Sequence, residues 1–441
     1  MTIEFWLSVF SALFWIFSAL FFARKKKDYL HPVVVFLLVF SLTYPVKLAI
    51  SFMGFYRLDS MSVNSDIIFS SIVLFNVAAL AFVFPMMLQK AVITDRNIFS
   101  IKSFNAYTLI IMALLLLILI NGYDAITSIF SKELLQNRII ERGNERLGSG
   151  IYRIFGQLIP FFLILFTMVF FRKNKSFNLF SVITIVMFGS LSLLLVGSKY
   201  QALFLPVVML ISFYYFKRSM GCNILNSTKL IMIAVIFIVF LAIIGYVRGF
   251  GMFGGTSHPF ILQSFYQLAN SFDAADNLIV LLDRSNTLVE GEMGFSLIVH
   301  ALVLPFIPRL LWSDKPLIQG NQFIMEKYFP EVFISHTGEA ISPSFIGELL
   351  LTGGVLYMVI FLLICGYLTS KLYYKSQRYG GIWYVIYVWC LLNTFNFLRS
   401  GTGVIGSLLI FTIIILVAYK FMQILSAISH NKVRPNFRTA T

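Results

Sequence analysis

The chain has 441 residues, of which 59% are hydrophobic and 12% are charged, and its formal net charge at pH 7 is +15. Soluble domains carry about 25% charged residues, so the composition excludes an ordinary soluble enzyme and indicates an all-α polytopic membrane protein. No nucleic-acid partner is expected, because the positive charge follows membrane topology rather than one exposed surface.

Apolar runs close to the roughly 20 residues that a spanning helix needs recur along the chain. Eleven spans are predicted, at about 3–22, 32–53, 67–88, 104–121, 154–171, 178–196, 201–216, 230–247, 345–369, 382–398 and 403–424. The first is not a secretory signal, because Glu4 precedes it and the basic run Arg24 to Lys27 follows it. We therefore expect the N-terminus outside and the C-terminus inside.

The basic residues agree with this topology. Most of the 34 lysines and arginines fall in segments placed in the cytoplasm, where Asp28 and Asp95 are the only acidic residues. Lys47 is the clearest charge inside a span. The positive-inside rule accounts for this bias, and the basic surface would face anionic membrane lipids.

Two outer segments are too long to be simple connections. Residues 122–153 form a first outer loop, and residues 248–344 form a large one, within a single integral membrane domain that covers 1–441. In the large loop, apolar residues recur every three or four positions between 265 and 282, which predicts a helix lying at the membrane interface. Its solvated face would carry Asp273, Asp276 and Asp283.

Cationic residues at the outer ends of spans and in the large loop are candidates for binding a diphosphate, because arginine offers paired donors and keeps its charge. These residues are Arg309, Arg248, Arg399, Lys199, Arg284 and Lys315. Ordinary anchors at the membrane interface use the same residue types, so that alternative stays open.

His336 is the candidate general base, because imidazole titrates near pH 6.5, although a polar loop residue that caps a turn is the alternative. Glu339 and Glu348 are the candidates for orienting it. Glu348 opens span 9, where a carboxylate is costly unless it pairs with a cation or lines a polar cavity. A partner for the helix dipole is the other interpretation of Glu348. The three cysteines and five histidines show no zinc spacing, so neither a metal nor an organic cofactor is expected.

The stretch LPFIPRLLWSDKP at 304–316 resembles the Pro-Arg…Trp-x-x-Lys-Pro signature of bacterial O-antigen polymerases, a family related to the O-antigen ligases. Three looser patterns agree with it. Arg309 and Gly320 have the Arg-x10-Gly spacing of a periplasmic motif, and Arg284 and Gly294 have its nine-residue version.

The third pattern, His336-Thr337 followed by Gly347, is similar to the His-polar-x9-Gly pattern of the ligases. Members often have Gly-Ser-Arg at the turn where this chain has Gly197-Ser198-Lys199.

The resemblance implies an inverting, metal-independent glycosyltransferase, similar to the type C class, in the bacterial inner membrane with its active site facing the periplasm. It would polymerise undecaprenyl-diphosphate-linked repeat units into O-antigen or a related surface polysaccharide, from a lipid-linked donor and a lipid-linked acceptor. A chain-length regulator is a further candidate partner. Two other functions stay open: a ligase that transfers finished glycan to an acceptor, and a flippase for the lipid-linked oligosaccharide.

Overall fold

The computed structural model describes residues 2–53, 64–89, 106–129, 158–174, 179–196, 199–221, 272–285, 344–401 and 403–432, together with 307, 324, 327, 328 and 330. Every regular element in these ranges is a helix. In chain order they are α1 (Ile3–Lys26), α2 (Pro32–Ser41), a π-helical turn (Leu42–Val46), α3 (Lys47–Ser51), α4 (Ser65–Met87), α5 (Ala106–Ile129), α6 (Leu158–Asn174), α7 (Leu179–Val196), α8 (Lys199–Ser219), α9 (Ala274–Ser285), α10 (Phe345–Tyr379), α11 (Ile382–Leu392), α12 (Thr394–Ser400) and α13 (Gly403–Lys432).

Within the described ranges, five helical stretches are long and apolar enough to cross a membrane. They are Ile3–Lys26, Pro32–Ser51, Ser65–Met87, Phe345–Tyr379 and Val404–Phe421. The chain is therefore an all-α membrane protein, as the composition predicts. The number of eleven spans and their orientation stay predictions, and the predicted span 230–247 lies outside the described residues.

Contacts at the helix ends show how the chain folds back on itself. Glu4, near the start of α1, accepts a hydrogen bond from Ser65 at the start of α4. Lys26, in the last turn of α1, donates to the carbonyl of Gln89, just past the end of α4. Helices α1 and α4 therefore run side by side in the same direction, with α2 and α3 returning between them.

One end of the bundle collects the cationic residues in the last turns of α1, α6, α8 and α10. They are Arg24, Lys25, Lys26, Arg172, Lys173, Lys217, Arg218 and Arg378. We call this end of the bundle the basic end. We call the opposite end, which contains the start of α10, the Glu348 end. The basic end contains residues of the segments predicted to be cytoplasmic.

The second predicted span is interrupted by the π-helical turn. Pro45 lies inside this turn, and because proline has no N–H to donate, it disturbs the regular helical ladder. Tyr44 of this turn and Lys47 and Ser51 of α3 are at helical spacing on one face, and all three are buried. The charged Lys47 and the polar Ser51 are thus directed into the Glu348 end.

Two other predicted spans are also irregular. Span 9 is part of α10, in which Gly353 (φ −159°, ψ 21°) and Gly354 (φ 72°, ψ −169°) have non-helical backbone angles. Span 10 is divided into α11 and α12 at Asn393. Both interruptions lie near the Glu348 end.

Helices α4 and α10 approach each other closely at Gly366. A Cβ atom added there would lie 2.1 Å from the carbonyl oxygen of Phe82 and 3.0 Å from its carbonyl carbon. Because the obstacle is backbone, it cannot rotate away as a side chain could. The short distance between the two helices at this point therefore requires glycine at position 366.

We therefore expect Gly366→Ala to lower the free energy of unfolding by about 1–3 kcal/mol, the usual cost of overpacking. The matched control is Leu368→Ala, two residues along the same helix, because the Leu368 side chain is 57% exposed. Thermal unfolding of the purified variants in detergent measures the difference. Equal stability of the two variants would contradict the close approach.

A buried polar cluster joins the helices at the basic end. The Asp28 carboxylate accepts hydrogen bonds from the hydroxyls of Tyr214 (3.0 Å) and Tyr373 (2.5 Å), and Arg218 completes it as an ion pair. His31 begins α2, where its Nδ1 accepts the N–H of Val33 at 3.3 Å. This cluster ties the α1–α2 loop to α8 and α10.

The burial of His31 makes the stability of the fold dependent on pH. Burial, with Lys26 and Arg218 nearby, lowers the pKa of His31 to about 3, whereas the unfolded value is near 6.5. The folded state then binds fewer protons between these values, so stability falls as the pH drops below about 6.5, by up to about 1.4 kcal/mol per pH unit. Asp28 also contacts His31, because its backbone carbonyl accepts the N–H of His31. A variant of His31 alone keeps Asp28, so Asp28 does not account for a difference between the pH profiles of the two proteins.

The matched variant is His31→Asn, because an asparagine oxygen can still cap α2 but does not titrate. Unfolding should therefore depend less steeply on pH in the variant than in the wild type between about pH 4 and pH 6.5. Denaturation curves at several pH values test this. Parallel pH profiles would show that His31 is not held in the neutral form.

Candidate active site

Helix α9 is packed into the bundle instead of lying at the membrane interface. Residues 274–282 are all buried, and Asp273 and Asp276 have 0% exposure. The prediction of a solvated face is therefore wrong for these two aspartates, although Asp283 is exposed. The periodicity identified an apolar face correctly, but it could not show that cations from other helices cover the polar face.

The first of these cations is Lys47 of α3. Its Nζ lies 3.0 Å from Asp276 Oδ2, and both side chains have 0% exposure. Ser51 donates its hydroxyl to Asp276 Oδ1 at 2.8 Å. A buried ion pair contributes little net stability, so its consequence is positional: it fixes α9 against α3.

The second cation is Arg399 of α12. Its Nε and Nη2 donate to the two carboxylate oxygens of Asp273 at 2.7 and 3.2 Å. The Arg399 side chain remains 30% exposed, while Asp273 has 0% exposure. This fork is the strong, planar form of a charge-assisted pair. Arg399 is thus both fixed in direction and accessible.

Glu348 lies in the first turn of α10 and is fully buried. Its carboxylate occupies the space beside Gly401, where an added Cβ would lie 1.6 Å from Glu348 Oε2. Gly401 also has a φ of 72°, a conformation that favours glycine. Because Gly401 is two residues after Arg399 and two before the start of α13, the carboxylate lies beside the chain that carries Arg399.

Ser344, which precedes α10, is held in an unusual conformation. Its φ is 66° and its side chain is buried, a backbone state that costs roughly 1–3 kcal/mol and concentrates at functional sites. The Tyr44 hydroxyl lies 2.8 Å from Ser344 Oγ and 3.0 Å from the carbonyl of Leu398. Since that carbonyl can only accept, Tyr44 donates to it and Ser344 donates to Tyr44. The bridge connects the start of α10 to α12.

Two of the predicted site residues, Glu348 and Arg399, lie near the same backbone segment, because Glu348 Oε2 is beside Gly401, two residues after Arg399. Arg284 is exposed in the last turn of α9, and its Nη1 donates to the carbonyl of Tyr328 at 2.8 Å. It lies eight residues from Asp276, or about 12 Å along the helix, away from the other two. Lys199 is the first residue of α8.

The remaining predicted site residues lie outside the described residues, so their placement beside Arg399 stays a prediction. They are Arg309, Arg248, Lys315, His336 and Glu339.

The sequence interpretation missed Asp273 and Asp276 as partners of these cations. One signal could have found them, because Lys47 is a charge inside a span and must have a counter-ion. The two aspartates lie in an apolar helix of the large loop, three residues apart. Tyr44 and Ser344 carry no comparable signal in the sequence.

At this end of the bundle, Asp273 holds the accessible guanidinium of Arg399 in a fixed direction, and the buried Glu348 carboxylate lies against the chain two residues further on. The guanidinium can hold an oxyanion, and the carboxylate can orient a proton-accepting group or take up a proton itself. No family model and no solved structure matches this chain. The function of the chain is therefore inferred from this geometry and from the residues of the large loop.

Proposed function

We propose that the chain is a membrane glycosyltransferase that joins lipid-diphosphate-linked oligosaccharide repeat units at the outer face of the bacterial cytoplasmic membrane. The observation that carries the proposal is the Asp273–Arg399 fork beside Glu348. The fork and Glu348 lie where the predicted large loop meets the spanning helices, and an arginine and a carboxylate are groups suited to this reaction. The resemblance of residues 304–316 to the polymerase signature supports the reaction class.

In this mechanism the hydroxyl of an acceptor sugar attacks the anomeric carbon of the donor glycan, and the bond from that carbon to the lipid diphosphate breaks. Arg399, with Arg309 and Arg248 of the large loop, holds the leaving diphosphate and stabilises the charge that develops on it. His336, oriented by Glu348 or Glu339, accepts the proton of the attacking hydroxyl. The lipid diphosphate is itself the leaving group, so the reaction needs no nucleotide.

The test is deletion of the gene in its host, followed by electrophoresis of the surface glycan. We expect the ladder of long chains to disappear while a single repeat unit is still displayed. Wild-type protein should restore the ladder, and Arg399→Ala, Arg309→Ala or His336→Ala should not. A full ladder from any of these variants at normal expression would remove the role assigned to that residue.

The second candidate function is a flippase for the lipid-linked oligosaccharide. It is favoured by the fully buried Lys47–Asp276 pair and by the interrupted helix α10, because transporters place buried charges and broken helices at their substrate sites. Loss of all surface repeats after deletion would indicate a flippase or a ligase, and a flippase where no long chains accumulate on lipid diphosphate. Long chains that accumulate on lipid diphosphate would indicate a ligase.

A further inference from the structure

The Asp273–Arg399 pair differs from the neighbouring Lys47–Asp276 pair in one respect. In both pairs the aspartate belongs to the N-terminal part of the α9 region and has 0% exposure. Lys47 also has 0% exposure, whereas the Arg399 side chain is 30% exposed. A ligand can therefore reach Arg399 but not Lys47, and it can reach neither aspartate.

The geometry of the Asp273 contact determines what Arg399 can present to such a ligand. Asp273 holds the side of the guanidinium that carries Nε and Nη2. A guanidinium is planar, with donors in a fixed arrangement, so holding one side fixes the direction of the whole group. Lysine could not be fixed in this way, because its ammonium is a rotating point charge.

We propose that Asp273 is a positioning residue, which directs the guanidinium of Arg399 at the diphosphate of a lipid-linked substrate. This inference rests on the proposed function and adds to it a residue that never touches the substrate. The fixed guanidinium loses little freedom when it binds, so more of its interaction energy appears as affinity. The Glu348 carboxylate lies beside Gly401, two residues after Arg399.

The experiment measures binding by the full chain in lipid nanodiscs with two probes, undecaprenyl diphosphate and the uncharged alcohol undecaprenol. The wild type should prefer the diphosphate. Asp273→Asn should raise the Kd for the diphosphate about tenfold to a hundredfold, the usual range for a hydrogen bond to a charged group. The Kd for undecaprenol should not change, and Asp273→Glu should recover part of the affinity.

Arg399→Lys should lose the diphosphate preference to the same extent, because lysine keeps the charge but cannot form the fork. The two changes together should be no worse than either alone, since they remove one shared interaction. The matched control is Asp283→Asn, which removes an exposed carboxylate of the same helix and should bind both probes within about twofold of the wild type.

Wild-type affinity for the diphosphate in Asp273→Asn would overturn the positioning role. An equal loss of both probes would also overturn it, because it would indicate a purely structural role. If the wild type itself shows no preference for the diphosphate, the proposed function fails together with this inference. If the wild type and the Asp273→Asn variant select the diphosphate equally, the proposed function stands and only the role of Asp273 is removed.

Discussion

Replacing Asp276 alone by leucine will destabilise the protein by about 3–5 kcal/mol, because it leaves the buried Lys47 without its counter-ion. Both side chains have 0% exposure, and their charged atoms are 3.0 Å apart. Lys47→Met alone should have a similar effect, since it leaves the buried Asp276 carboxylate without this cation. Chemical unfolding of the purified proteins in detergent measures these differences in free energy.

The double replacement, Lys47→Met with Asp276→Leu, should restore most of the lost stability. Removing both charges also removes the desolvation penalty of each, so such exchanges are often neutral or stabilising. The comparison of single and double variants isolates the interaction between the two residues. Additive losses would contradict a direct ion pair.

The second large effect concerns Glu348. Glu348→Gln keeps the shape of the side chain and removes its charge, so polymer synthesis should fall by about a hundredfold or more if the carboxylate orients the general base. Gly401→Ala should also reduce synthesis, because its Cβ would occupy the position of Glu348 Oε2, 1.6 Å away. The rate at which long chains form from purified lipid-linked repeat units measures both effects.

The control for Glu348→Gln is a second carboxylate in the first turn of a helix. Glu4 lies in the first turn of α1, is mostly buried and bonds Ser65, but it contacts none of the site residues described above. Glu4→Gln should retain synthesis within about twofold of the wild type. A Glu348→Gln variant with a normal rate would exclude a catalytic role for that carboxylate.

The spanning helices could be predicted from the sequence because apolar length is a local property. The predicted start of span 2 at residue 32 coincides with the start of α2 at Pro32, where proline is favoured and His31 caps the helix. The predicted start of span 3 at residue 67 lies within two residues of the start of α4 at Ser65, which Asn64 caps. Such boundaries depend on a few neighbouring residues.

The partners of the buried charges could not be predicted in the same way. Ser51 and Asp276 are 225 residues apart in the chain, and Arg399 and Asp273 are 126 apart. Local patterns contain no information about which distant helix will cover a given face. Local patterns therefore predict a solvated surface for Asp273 and Asp276, and the roles of Glu348 and Arg399 stay predictions.

The interruption of α10 has a consequence for the depth of Glu348 relative to the bilayer. Gly353 is exposed and has non-helical backbone angles, and irregular backbone facing lipid is not tolerated within the hydrocarbon layer. We therefore expect the hydrocarbon boundary near Gly353, past the start of α10. From Gly354 to Lys371 the helix then advances about 26 Å at 1.5 Å per residue, close to the thickness of a hydrocarbon core. We accordingly expect the turn that carries Glu348 at the level of the lipid headgroups, where the phosphates of membrane lipids also lie.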